Sequence, residues 1–145
     1  MKLTEHFTLE ELTTTITGYD NTPSASVIEN LKLLASTLER IRSLLGKPIT
    51  VSSAYRSLKV NNAVKGAGSS LHLVGLAADL KVKSMTACEV CVAIQNSDIK
   101  YDKLILEFDS WTHIQVQKDP KENRMEEYTI RAGTGYLKGI VPKGK

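Results

Sequence analysis

Four residues in two short stretches of this chain could together hold and use a metal ion. In "SSLHLVGLAADL", Ser69 to Leu80, His72 stands seven residues before Asp79. In "KLILEFDSWTHIQVQ", Lys103 to Gln117, Glu107 stands six residues before His113. Two imidazoles and a carboxylate suit zinc and leave its fourth position open for water, as in catalytic rather than structural sites. Zinc makes water acidic near neutral pH, and a nearby carboxylate can take the proton as the water attacks a carbonyl. The chemistry would be metal-assisted hydrolysis. The same residues also have a plain reading: a solvent-facing loop histidine, an ordinary strand histidine and a carboxylate that is only its hydrogen-bond partner. Spacing alone leaves both open.

The elements that would position these residues are strands. "LAADLKV" alternates Leu76, Ala78, Leu80 and Val82 on a core face with Ala77, Asp79 and Lys81 on the other. "WTHIQVQ" puts Thr112, Ile114 and Val116 on its core face and Trp111, His113 and Gln115 opposite. "KLILEF" puts Leu104, Leu106 and Phe108 inward and leaves Glu107 with Ile105 outward. Three strands thus each offer one metal-competent or acid–base residue on the non-core face. "KLILEF" and "WTHIQVQ" read as a hairpin, in which directly opposed residues share a face. An odd loop centred on Ser110 places Glu107 opposite His113. A two-residue loop at Asp109-Ser110 would pair Glu107 with Thr112 and expose Ile114 and Val116, so the odd loop is expected. Asp109 is an alternative base on the same face, expected to sit in the turn.

The rest of the chain supplies the scaffold. Thr8 with Glu11 forms a capping box, and Phe7 can staple onto Leu12. Ser26 with Glu29 reads as a second capping box, followed by an apolar stripe at Val27, Leu31, Leu34, Leu38, Ile41 and Leu45. Gly46 and Pro48 end that helix. "ITVSSAYRS" reads as a strand and "SLKVNNAVKGAGSS" as a long polar loop. A helix spans roughly Thr86 to Gln95. The tail from Lys118, through the Lys-rich "YLKGIVPKGK", is expected to be weakly structured apart from a possible strand at "EYTIRA". No repeat and no linker divides the chain. The expectation is one α+β domain over residues 1–145, a small mixed or antiparallel sheet packed against helices, with the site on one sheet face.

Composition narrows the function classes. The net charge of +3 is mild, and no Lys/Arg stripe interleaves with aromatics, so nucleic acid is not the expected partner. No run reaches the roughly 18 apolar residues of a membrane span. "MKLTEHFTLEEL" has no apolar signal-peptide core, so the chain is expected to be made in the cytoplasm without a signal peptide. Cys88 and Cys91, in "CEVC", lack a second cysteine pair and read as two small apolar residues on one helical face. His6 is expected to be exposed.

These stretches also carry a resemblance. The chain resembles the D-Ala-D-Ala carboxypeptidase family of zinc peptidases, and within it the small phage-associated members. Those run through "FT-x-x-EL", "IR-x-x-LG-x-PI", "V-x-SGYRS", "SS-x-H-x-x-G-x-AAD", "LI-x-E" and "W-x-H". This sequence reads "FTLEEL", "IRSLLGKPITVSSAYRS", "SSLHLVGLAADL", "LILEF" and "WTHIQV", over roughly residues 7 to 117. The resemblance implies His72, Asp79 and His113 as zinc ligands, Glu107 as general base, and Arg56 as the group that binds a substrate carboxylate or steadies the carbonyl oxygen. Asn61, Ser70 and Trp111 are implied or expected at the cleft. The implied activity is cleavage of peptidoglycan stem peptides by a monomeric carboxypeptidase or endopeptidase, acting on the wall after release or as part of a virion. Three positions depart from the pattern. Ala54 and Lys65 stand where glycine is usual, and Leu71 stands where glutamine is common. The rival reading is a zinc-containing binding module, since the hedgehog signalling domain keeps a similar site; Glu107 and Arg56 favour an enzyme.

Overall fold

The apolar stripe at Leu31, Leu34, Leu38 and Ile41 forms the buried face of a 21-residue helix, α2, Ala25–Leu45. In the computed structural model, which describes residues 1–143, the cap of this helix is Ser24 and not Ser26. The Ser24 hydroxyl accepts from the Val27 N–H and offers the cap two residues earlier, while Ser26 only meets the Ser24 hydroxyl. Gly46, at φ 64°, ends the helix in the left-handed conformation that glycine adopts without strain. Gly144 and Lys145, the end of the Lys-rich tail, lie outside the described residues.

Three shorter helices complete the α layer. They are α1, Leu9–Leu12, capped by Thr8; α3, Leu58–Ala63, capped by Ser57; and α4, Ala87–Gln95, closed by a reciprocal Thr86–Glu89 capping box. The stretch expected to be one long loop therefore contains α3. Six residues are too few to show a helical apolar period, and its inward side is only Val60 and Asn61.

The strands are β1, Thr50–Ser53; β2, Ala77–Lys81; β3, Lys103–Glu107; β4, Trp111–Gln115; β5, Glu126–Arg131; and β6, Gly135–Lys138. They form one mixed sheet in the order β1-β2-β4-β3-β5-β6, antiparallel throughout except for the parallel β3–β5 pair. The architecture is the expected α+β. In the tail, the possible strand at "EYTIRA" is β5, which lies beside β3, and a second strand that was not expected, β6, folds back on β5. β5 is half-buried and β6 mostly exposed, both lie towards one edge of the sheet, and the glycines between and beside them dilute any alternation.

The sheet has two unlike faces. Ala78, Leu80, Leu104, Leu106, Thr112 and Ile114 are fully buried on the helix side. There Thr112 donates its hydroxyl to the Ala87 carbonyl of α4 and meets Cys91 Sγ at 3.4 Å. Across the other face, register aligns Ser53, Asp79, His113, Ile105 and Tyr128 in one row.

The β3–β4 hairpin has an odd loop, as expected, but its centre differs. Phe108, Asp109 and Ser110 form the loop, so Glu107 opposes Trp111 and Ile105 opposes His113. Phe108 and Asp109 turn the chain in left-handed conformations directly after Glu107. Moving the loop centre by one residue moves each partner by two. Glu107 therefore keeps its face and lies diagonal to His113 rather than opposite it.

Candidate metal centre

Asp79 and His113 are register partners on β2 and β4, near the middle of the sheet. His113 Nδ1 lies 3.1 Å from Asp79 Oδ1. His72 enters from a single 3₁₀ turn, Leu71–Val74, just before β2. Ser70 caps that turn by accepting from the His72 N–H, and Gly75 closes it at φ 80°. This brings His72 Nε2 to 3.4 Å from Asp79 Oδ1. The other nitrogen, Nδ1, is 2.6 Å from the Ala54 carbonyl oxygen. A carbonyl only accepts, so Nδ1 carries the proton and Nε2 presents its lone pair to the site.

The donor set fits zinc. All three side chains are buried, and one ligand atom from each lies within 4.8 Å of the others. Donors about 2.0–2.2 Å from a tetrahedral zinc must stand roughly 3.3–3.6 Å apart, close to the 3.1 and 3.4 Å found at Asp79. The charge states suit it as well. Burial lowers the pKa of His72 and keeps it neutral. Burial would raise Asp79, but the bond to His113 and the closeness of the His72 ring outweigh it and hold the carboxyl well below the usual range. At His113 burial works downward, and the bond to Asp79 overcomes it and raises the pKa. Metal and proton therefore compete for the same Nδ1.

Glu107 stands at the edge of this set, its Oε1 3.5 Å from His113 Nδ1. Burial pushes its carboxyl above the ordinary glutamate value, with Asp79 adding to the rise and His113 opposing it. That direction suits a proton acceptor better than a surface carboxylate would. Asp109 has gone elsewhere. At the hairpin tip it accepts two bonds of 2.8 Å from Arg131, and these hold its carboxyl below the usual range.

Arg56 reaches the site from the chain after β1. Its Nη2 donates to Asp79 Oδ2 at 3.2 Å, its Nε to Ser53 Oγ at 3.0 Å and its Nη1 to Asn61 Oδ1 at 3.4 Å. The guanidinium is thus aimed by three bonds and keeps donors free for a ligand. Asn61 is fully buried and also donates to the Ala67 carbonyl, which shapes the loop over the site. A side chain at Gly66 would collide with Asn61. Lys65 occupies a left-handed conformation at φ 58°, the physical reason that glycine would be usual there.

A cleft of about 370 Å³ opens onto the three ligands, walled by Arg56, Ser70, Phe108, Trp111 and Tyr136. A neighbouring groove of about 440 Å³ shares Ser70, His113 and Tyr136 with it. The structure therefore gathers His72, Asp79, His113, Glu107, Arg56, Ser70 and Trp111 around one cleft, with Asn61 behind Arg56. Tyr136 was not anticipated. It belongs to β6, and nothing in the polar tail marked it out. Cys88 and Cys91 lie on α4 as two unpaired cysteines, and burial pushes the Cys91 thiol up to about 12. His6 is exposed and bonds Glu39 at 2.8 Å. No helix among the described residues is long and apolar enough to cross a membrane.

Comparison with known proteins identifies a peptidase family. A family model described as Peptidase M15 matches residues 5–115. The zinc D-Ala-D-Ala carboxypeptidase of Streptomyces albus G is 42% identical over 60 residues, which are 41% of this chain and 24% of that protein. The chain thus matches about a quarter of the length of that relative. Strands β5 and β6, with Tyr136, lie beyond the family match.

Proposed function

The chain belongs to the M15 peptidase family, and from that premise we propose that it is a zinc-dependent peptidase that cuts a peptide bond in the stem peptides of bacterial peptidoglycan. The observation that carries the reading is the buried His72–Asp79–His113 set with Glu107 3.5 Å from its edge. The similarity to a zinc D-Ala-D-Ala carboxypeptidase supports the substrate class. The bond cut is a D-Ala-D-Ala end or one within a stem or cross-link. The run of motifs resembling small phage-associated peptidases supports a role in lysis or wall penetration by a phage or prophage. The protein is then made in the cytoplasm and meets the wall after release or on a particle. The three ligands, Glu107 and Arg56 all lie on this chain, which supports a monomer as the working unit.

His72, Asp79 and His113 would hold the zinc. The ion supplies Lewis acidity, which makes water acidic near neutral pH and polarises a carbonyl. The protein's own groups do the rest. Glu107 takes a proton from the attacking water and passes it to the leaving amine; its raised pKa serves both steps. Arg56 directs its free donors at the carbonyl oxygen or at a terminal carboxylate. Trp111 and Tyr136 wall the cleft and keep the peptide over Glu107. Asp79 serves twice, since its second oxygen holds Arg56 in place.

Digestion of purified muropeptides, read by mass spectrometry, tests the reading. Zinc-loaded protein should release D-amino acids or shortened stems, chelation should stop it, and added zinc should restore it. Bound zinc and retained wall fragments without cleavage would replace the enzyme by a binding module.

A further inference from the structure

We propose that Asp102 and Gln115 form a positioning relay that fixes the ring tautomer of His113, and with it the nitrogen that His113 offers to the metal. The inference rests on the zinc reading above. The two histidines of the site face it through different nitrogens. His72 presents Nε2, because the Ala54 carbonyl holds a proton on Nδ1. His113 turns Nδ1 towards Asp79 and the metal position, and a metal that takes the Nδ1 lone pair leaves the ring's one proton on Nε2. No backbone carbonyl holds it there. His113 Nε2 lies 2.8 Å from the side-chain oxygen of Gln115, and Gln115 Nε2 lies 2.8 Å from Asp102 Oδ2.

The direction of this chain of bonds follows from its far end. Asp102 is fully buried just before β3. Its Oδ1 accepts from the Arg124 backbone N–H at 3.2 Å and from Arg124 Nε at 2.9 Å, and its Oδ2 accepts from Arg124 Nη2 at 2.8 Å. Burial alone would raise the Asp102 carboxyl, but the bonds from Arg124 and Gln115 outweigh it and keep it ionised. An ionised carboxylate only accepts, so Gln115 must turn its amide NH₂ towards Asp102 and its oxygen towards His113. That oxygen also only accepts, so His113 must donate from Nε2. Without the relay the ring could place its proton between Nδ1 and Asp79, on the lone pair a metal needs. Arg124, which anchors the relay, lies beyond residues 5–115, so the segment following β4 completes the site.

The test uses the zinc-loaded full chain with ¹⁵N-labelled histidines. Long-range proton–nitrogen spectra should show the His113 proton on Nε2 and the His72 proton on Nδ1. Gln115→Met keeps the side chain's length and removes the acceptor. It should weaken zinc binding, read by chelator competition, by about 10–100-fold, with a native far-UV spectrum. Combining Gln115→Glu with Asp102→Asn exchanges amide and carboxylate but keeps an acceptor facing His113, and should recover most of that affinity. A purely structural role for Gln115 would not move the proton position or allow this rescue. Parent-level zinc affinity in Gln115→Met, or a His113 proton on Nδ1 in the parent, overturns the relay alone. A parent chain that binds no zinc overturns the relay and the metal reading together. If Gln115→Met does not fold, the proton position in the parent decides.

Discussion

On the face of β2, β3 and β4 that meets the helices, Ala78, Leu80, Leu104, Leu106 and Ile114 are fully buried and apolar. On the opposite face the same strands carry Asp79, Glu107, His113 and Gln115, of which Asp79, His113 and Gln115 are also buried. Burial means different things on the two faces. On the helix side it removes apolar surface from water and stabilises the fold. On the site side it costs free energy unless each polar group has a partner, and here Asp79, His113 and Gln115 each have one. Stability and chemistry thus alternate along β2, β3 and β4 with a period of two. The parity of a residue should predict which of the two a substitution damages.

The largest effects should come from the ligands. Replacing His72, Asp79 or His113 by Ala should abolish bound zinc and cleavage while far-UV circular dichroism stays native. Full zinc occupancy in the double variant His72→Ala with His113→Ala would break the comparison at its root. Arg56→Lys, on the same side, keeps the charge but loses the planar fork that reaches Asp79, Ser53 and Asn61. A charged, geometrically fixed bond is worth about 1.5–3 kcal/mol, so kcat/KM should fall by roughly tenfold or more. A loss confined to KM, and to substrates with a free C-terminal carboxylate, would assign Arg56 to that carboxylate. Equal losses on amidated peptides would assign it to the carbonyl oxygen.

Leu106→Ala probes the other parity. Truncating a fully buried leucine should destabilise the fold by about 2–5 kcal/mol in denaturant titration, with zinc stoichiometry and kcat unchanged below the unfolding transition. Loss of zinc from folded Leu106→Ala would show that the faces are coupled. The smallest effect concerns the two thiols on α4. Burial pushes Cys91 up to about 12, which leaves almost no thiolate near pH 8, so an alkylating reagent should label half-exposed Cys88 and spare Cys91. Fast labelling of Cys91 in the native chain would contradict its place in the core.

This alternation was largely legible in the sequence. Leu80 and Ile114 announced the core face, and Asp79 and His113 then had to face the other way. The hairpin shows the limit of that reasoning. Apolar parity required an odd loop but could not choose between centres at Asp109 and Ser110, which differ by two residues in register and not at all in face. Ser24 and Ser26 were ambiguous because either hydroxyl can cap. Tyr136 and Arg124 escaped because their roles depend on pairings far along the chain: β5 beside β3, and Arg124 onto Asp102. No local pattern encodes such contacts.

The central claim is that the site face performs hydrolysis through Glu107, and Glu107→Gln tests it most directly. The substitution keeps the shape and removes the base. Both forms should be loaded with zinc and given the same muropeptides, with Asp109→Asn as the control two residues away. The account predicts equal zinc content, a fall in kcat of about 10²–10⁴-fold for Glu107→Gln, and a far smaller loss for Asp109→Asn, whose native carboxylate is committed to Arg131. Parent-rate digestion by zinc-loaded Glu107→Gln would contradict it.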